Sequence, residues 1–288
     1  MFSASKQLKY YLILPSIIFL LVMVIVPLLY TIILTFCNYD LTKPQQGIVF
    51  VGVNNYVALF SNTRFWYALF RSVYYVGFSI GVSFVIGFGV TLLLGGTVRF
   101  KSFYATALLI PMIMTPVIIG LGFRFMYHPD FGILPYLFSL LGIKNIDLLG
   151  NSQWALISII LTDIWQWTPF VIAVLYAGLG YLSREPFEAA RIDGASHFQV
   201  LRYITIPLMR IPIATVLVIR SMDAMRAFDK IFMMTRGGPG LATETLSIYS
   251  WRVAFAWFKM GDASTMGILM LLIIIAISNI LVSIITKG

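Results

Sequence analysis

Apolar residues in this chain come in long blocks, not in the narrow stripes of an amphipathic surface helix. One block runs from about Tyr10 to Phe36, a second from about Ser72 to Leu94, and a third from about Phe103 to Tyr127. Two more cover Trp154 to Gly180 and Thr265 to Ile285. Each is near the ~20 residues that a bilayer core requires. A further block, Ile211 to Thr235, has the length of a span but holds Arg220, Asp223, Arg226, Asp229 and Lys230. Charges at membrane depth are tolerated where they face a protein interior or a wet cavity, so this block is counted as the fifth helix in chain order. Gly77 and Gly81 have the GxxxG spacing that permits close helix packing, and Pro111 and Pro116 predict a bend in the third helix. The predicted fold is all-α, a single transmembrane domain over residues 1–288. Its helices are expected at about 10–36, 72–94, 103–127, 154–180, 211–235 and 265–285.

Composition supports a membrane chain. Hydrophobic residues make up 60%, charged residues 11%, and the mean hydropathy is +0.92. An ordinary soluble domain carries about 25% charged residues, so these charges are too few to clothe a soluble globule. The net charge of +9 does not point to nucleic acid, because the basic residues are scattered among apolar blocks and form no stripe. Lys6 and Lys9 precede the first block as in a signal peptide, but the block is too long for one and no small-x-small cleavage site follows. It is read as a retained first helix with a cytoplasmic N-terminus, and six spans then put the C-terminus inside too. The inner segments carry roughly nine Lys and Arg in about 50 residues and the outer loops roughly seven in about 90, in the sense of the positive-inside rule.

Most catalytic chemistry is excluded. Cys37 is the single cysteine, and His128 and His197 lie far apart with no HExxH or CxxC, so no disulfide or metal site is expected. There is no GxSxG and no obvious catalytic carboxylate pair. There is also no GxxxxGK[ST]; the cluster Gly237-Gly238-Pro239-Gly240 lacks the following Lys and reads as an external turn. The chain is therefore expected not to hydrolyse ATP and to hold no cofactor.

The connection at 181–208 is too polar for lipid. Within it, Pro186 suits a first helical turn, a short helix follows through Ile192, and Asp193-Gly194 breaks it. Ser196 and Gln199 have capping-box spacing and predict a second helix start, with Pro207 near the entry to the fifth span. This bent helix–Gly–helix resembles the EAA loop of ABC importer permeases: Glu188-Ala189-Ala190, then Gly194, then Ile204, Ile206 and Pro207 at the family's spacing. Ile206 stands where the family has Leu. The resemblance implies a coupling helix docked on a separate ATPase, with Glu188, Ala189, Ala190, Asp193, Gly194, Ile204 and Pro207 as the coupling residues. Small alanines allow close seating, and Gly194 allows a sharp turn.

The segment AFDKIFMMTRGGPGLATETLSIYSWRVAF resembles the carbohydrate-uptake branch of that family, as do MYHPDFGIL and DIWQWTPF. Arg236 replaces a common Gly. The chain is more similar to the shorter six-helix members than to the maltose-type first subunit, so maltose specificity is not implied. The implied partners are a second six-helix permease subunit, two copies of an ABC ATPase that bind ATP and Mg2+, an extracytoplasmic solute-binding protein and membrane lipid. The implied location is a bacterial or archaeal plasma (inner) membrane. No nucleic acid is involved. An ion-coupled secondary transporter also fits intramembrane carboxylates but leaves the EAA loop unexplained. An amino acid or peptide importer conflicts with TRGGPGLATETL.

Asp163, Gln166, Trp167 and Phe170 share one face of the fourth helix at i, i+3, i+4 and i+7, and Arg220, Asp223, Ala224 and Ala227 do so on the fifth. In the resembled branch the solute site lies at equivalent places. Carboxylates and amides hydrogen-bond hydroxyls, an aromatic ring packs on a pyranose, and alanines leave room. A structural alternative pairs Arg220 with Asp223 to keep a charged helix in the membrane, with Trp165 and Trp167 as packing aromatics. A third reading has Asp229 and Lys230 meet the partner subunit or the binding protein near the outer face. If Asp163 and Asp223 neutralise Arg220, a neutral polyhydroxylated solute is expected; a free Arg220 favours an acidic sugar. Asp163→Ala and Trp167→Ala are both expected to reduce transport while leaving assembly intact.

Overall fold

The computed structural model describes residues 2–95, 109–143 and 145–287, almost all of them in helices and their connections. The chain divides into two compact units, one made of Met1–Trp66 and Tyr249–Leu272, the other of Tyr67–Ile248 and Ile273–Gly288.

In the first unit, α1 (Phe2–Leu20) continues through a π-helical turn (Leu21–Ile25) into α2 (Val26–Thr35). Leu12, Phe19 and Leu29 are exposed, as expected of a helix that meets lipid on most sides. A two-residue antiparallel ladder follows, β1 (Cys37–Asn38) on β2 (Val49–Phe50), and then α3 (Asn54–Phe60). Buried Asn55 fastens this turn by donating from Nδ2 to the carbonyls of Thr35 and Cys37, both at 2.9 Å. Arg64 lies 5.0 Å from the ring centres of both Tyr249 and Trp257.

The helix expected from residue 72 starts nine residues earlier: α4 is Thr63–Gly95. Asn62 supplies the start signal, its side-chain oxygen accepting from the Arg64 amide at 2.9 Å. Arg64 and Arg71 make this first part look like a connection in a hydropathy reading. The third block is also divided. Helical residues 109–113 (α5) end before Met114-Thr115, and α6 (Pro116–Met126) restarts with Pro116 in its first turn. Thr115 is extended (φ −67°, ψ 145°), as a residue before proline prefers. The expected start at Phe103 and the inner segment 96–102 lie outside the described residues.

After α7 (Ile133–Leu140) comes α8 (Ala155–Gly180), the most buried of the long apolar helices. The polar connection follows: α9 (Glu185–Ile192), α10 (His197–Val200), a π-helical turn (Leu201–Thr205) and α11 (Ile206–Leu208). A 67° bend separates this stretch from α12 (Arg210–Met225).

The fifth span expected over Ile211–Thr235 is not one helix. α12 ends at Met225 and α13 (Asp229–Thr235) begins after a break at 226–228. An unbroken helix would separate residues 220 and 230 by ~15 Å along its axis. Both reach one carboxylate here, so the break is what lets two distant cations converge. α14 (Leu246–Trp251) leads through a π-helical turn (Arg252–Ala256) to α15 (Met260–Lys287). Among the described residues, four helices are long and apolar enough to cross a bilayer, and a fifth results if the bent pair counts as one span.

The second unit's core packs α8 on α12. Val171 and Leu175 meet Met209, Ile213 and Val216, with Phe84 and Phe88 of α4 against them. Two glycines permit the close approach. A Cβ at Gly87 would come within 2.6 Å of Val171, and one at Gly178 would strike the Pro212 ring.

Candidate functional site

Asp163 lies in the first half of α8, 1% exposed, and both of its oxygens are engaged. Oδ2 accepts from Arg220 Nη2 of α12 at 2.6 Å. Oδ1 accepts from Lys230 Nζ of α13 at 2.5 Å and from the Tyr75 hydroxyl of α4 at 2.8 Å. Arg220 Nη1 also donates to Asp223 Oδ2 at 3.0 Å, one turn along its own helix. The guanidinium lies over the Trp167 ring, 4.8 Å from its centre. Two carboxylates and two cations sum to zero, so the cluster is neutral although Asp163, Arg220, Lys230 and Tyr75 are all buried. Isolated buried charges are costly, whereas this arrangement pairs each one.

The eight side chains expected to face a solute therefore separate into two sets. Asp163, Gln166, Arg220 and Ala224 are buried. Asp223, Trp167, Phe170 and Ala227 are partly accessible, and the Trp167 and Phe170 rings meet edge to face at 6.1 Å. Ala227 does not share the α12 face expected of it, because the helix ends two residues before it. Gln166 Nε2 donates to the Met114 carbonyl at 3.3 Å, where the chain is opened by Pro116. Gln166 Oε1 and Arg220 Nε are buried without a partner among the described residues. Trp165 packs edge-on to Phe123 at 5.2 Å.

Lys230, which one reading of the sequence set against the partner subunit or the binding protein, reaches Asp163. Tyr75 was not anticipated at all. Lys230 carried a signal in being a cation in an apolar segment without a nearby carboxylate of suitable spacing. Tyr75 carried none, since a tyrosine in an apolar helix is unremarked.

The polar connection is built locally. Glu188, Ala189 and Ala190 lie in α9, and Asp193 caps its C-terminal end. Gly194 takes φ +73°, while the Ala195 amide reaches back to the Ala190 carbonyl at 2.9 Å. A glycine after a helix end suits this left-handed turn. Ser196 and Gln199 form the reciprocal capping box, with Ser196 Oγ accepting from the Gln199 amide at 3.3 Å and Gln199 Oε1 from the Ser196 amide at 2.7 Å. Glu188, Ala189, Asp193, Gly194 and Pro207 are exposed, Ile204 is half-buried and Ala190 is buried. Ile192, Phe198 and Tyr203 also stand exposed there, an apolar surface on a polar segment.

Long apolar helices, a neutral buried charge cluster and an exposed helix–glycine–helix connection define a polytopic helical membrane protein. The chain belongs to the family described as binding-protein-dependent transport system inner membrane component, whose model matches residues 124–288. As a member, it is the membrane-embedded permease component of an ABC importer, and ATP hydrolysis resides in a separate subunit. It is 32% identical over 264 residues to the probable ABC transporter permease protein y4oQ of Sinorhizobium fredii, covering 92% of this chain and 85% of that one. It is 32% identical over 258 residues to the trehalose/maltose transport system permease protein MalF of Thermococcus litoralis, covering 90% and 85%. A solved bacterial ABC transporter that imports the acidic polysaccharide alginate contains a chain of the same fold, with a TM-score of 0.84, 21% identity, and coverage of 99% of this chain and 96% of that one.

Proposed function

We propose that this chain is one of two unlike permease subunits of an ABC importer for a neutral sugar, oligosaccharide or sugar alcohol. The charge balance of the cluster carries the neutral-solute reading. Both terminal nitrogens of Arg220 are taken by carboxylates, and the Lys230 ammonium is taken by Asp163. No cation of the cluster is left to anchor an acidic sugar. The accessible groups suit hydroxyls and a pyranose face: the Asp223 carboxylate, 41% exposed, and the partly accessible Trp167, Phe170 and Ala227. Asp163, Gln166, Arg220 and Ala224 then form the wall behind that edge. A trehalose/maltose permease among the relatives supports the sugar class.

In this reading a second six-helix permease covers the solute face, and an extracytoplasmic binding protein delivers the solute. Of two ATPase subunits, which hold ATP and Mg2+, one engages the connection at Glu188, Ala189, Asp193, Gly194 and Pro207. Ala190 and Ile204 seat that segment against its own base. The complex sits in a bacterial or archaeal inner membrane with both termini of this chain in the cytoplasm.

The test is a thermal-shift screen of the cognate binding protein against neutral and acidic sugars, followed by ATPase measurement on the assembled complex. A neutral ligand that stimulates ATPase is expected. A binding protein that takes only uronates, sulfonates or sugar phosphates would contradict the neutral reading.

A further inference from the structure

Asp163 is a junction of four helices, and two of its three partners, Lys230 and Tyr75, have no part in solute contact as described above. α8 runs from Asp163 down to the polar connection at Gly180, roughly 26 Å, and α12 returns from it to Arg220, roughly 15 Å. Between the connection and the ion pair, the two helices are joined by the packing of Val171 and Leu175 on Ile213 and Val216. At the far end they are joined by the Asp163–Arg220 ion pair itself. A pair of helices fastened at two levels moves as one piece.

α13 continues beyond a gap in the helical backbone. Across 226–228 the helical ladder gives way to turn-type backbone bonds, Arg226 to Asp223 and Ala227 to Ala224, each 3.2 Å. Such a gap transmits little on its own. α13 is also committed to α6, where an added Cβ on Gly120 would meet Met233 and the Lys230 backbone. The buried bond from Lys230 to Asp163 bridges the gap.

We infer that Lys230 is a positioning residue of the transport step: through Asp163 it splints the break between α12 and α13, so that α8, α12 and α13 form one rigid arm between the solute face and the ATPase-facing connection. The inference rests on the permease reading and adds to it a residue that contacts neither solute nor ATPase. Tyr75 adds α4 to the same junction. The competing role for Lys230 is mere neutralisation of buried Asp163, and the two roles are separable. Removing both charges with Lys230→Met and Asp163→Asn leaves Arg220 against Asp223, again summing to zero. Charge balance is restored in that double variant and the splint is not.

The experiment uses the full complex of both permeases, ATPase and binding protein. The double variant is expected to assemble at the wild-type yield, while its ratio of sugar-stimulated to basal ATPase falls about tenfold. Lys230→Arg is expected to keep most of that ratio. A wild-type ratio in the double variant, or in Lys230→Met, overturns the inference. A second readout needs no sugar. Spin labels at exposed Leu161 on α8 and Asp229 on α13, in a Cys37→Ser background, report the distance across the splint. One narrow distance, unchanged on vanadate trapping, is expected in the otherwise wild-type chain, with a broad one in Lys230→Met. A distance that shifts on trapping in the former overturns the arm. A wild-type complex without sugar-stimulated ATPase counts against the functional reading alone, and the label distances still decide the arm.

Discussion

Asp163→Asn removes one negative charge from a neutral buried cluster and leaves Arg220 and Lys230 against Asp223, a sum of +1. Lys230, 3% exposed, loses its carboxylate partner altogether. Breaking a buried pair by deleting one member typically costs ~3–5 kcal/mol. At about 1.4 kcal/mol per factor of ten, the folded population is disfavoured by two to three and a half powers of ten. With ~2–4 °C per kcal/mol for a chain of this size, the thermal midpoint should fall by on the order of 10 °C. Asp223→Asn is the control. It loses a 3.0 Å contact to a carboxylate that is 41% exposed, while Arg220 keeps Asp163, so the cost should be ~1 kcal/mol or less. The assay is heating of the detergent-solubilised complex followed by fluorescence-detected size exclusion. Adding Lys230→Met to Asp163→Asn should recover much of the lost midpoint, since the sum returns to zero. Equal midpoints for Asp163→Asn and Asp223→Asn, or an Asp163→Asn midpoint within ~2 °C of wild type, would refute the reasoning. The geometry also separates two variants that the sequence treats alike: Asp163→Ala with Lys230 left in place should lose assembly as well as transport, and Trp167→Ala transport alone.

Trp167→Ala, at a half-buried position, should lower uptake strongly while the complex assembles normally; a normal initial rate in proteoliposomes would take this ring out of the solute path. Gly194→Asp puts a side chain at φ +73°, a cost of ~1–2 kcal/mol, on an exposed turn of the connection. Co-purification should show loss of the ATPase or of solute-stimulated hydrolysis while the binding protein keeps its affinity. Gly87→Leu drives atoms into Val171 where even a Cβ is too close, so overpacking of ~1–3 kcal/mol should show as a lower thermal midpoint, with Gly77→Leu, in open space, as the tolerant comparison.

Local chemistry was legible in the sequence, and convergence of distant side chains was not. Ser196 and Gln199 specify their helix start within four residues, and Gly194 its turn, so the polar connection could be read residue by residue. Pro116 marked the opening of the third span, because proline acts on the residue next to it. The break at 226–228 has no proline or glycine to announce it. What it permits is the meeting of Arg220 and Lys230 at Asp163, which is a tertiary fact. The same assumption of an unbroken helix kept Lys230 apart from Asp163 and kept Ala227 on the Arg220 face. Asp163 and Arg220 were recognised as neighbours on flanking helices, but the saturation of Asp163 by three donors depends on Tyr75, which lies 88 residues away.

This chain moves solute by ATP-driven transport and not by an ion gradient. Uptake of the ligand identified on the binding protein should be measured in proteoliposomes containing this chain, the second permease and the ATPase, with ionophores present and ATP either supplied or withheld. Full uptake with ATP despite collapsed gradients, and none without ATP, is the expected result. Uptake that follows an imposed proton or sodium gradient in the absence of ATP would contradict the account.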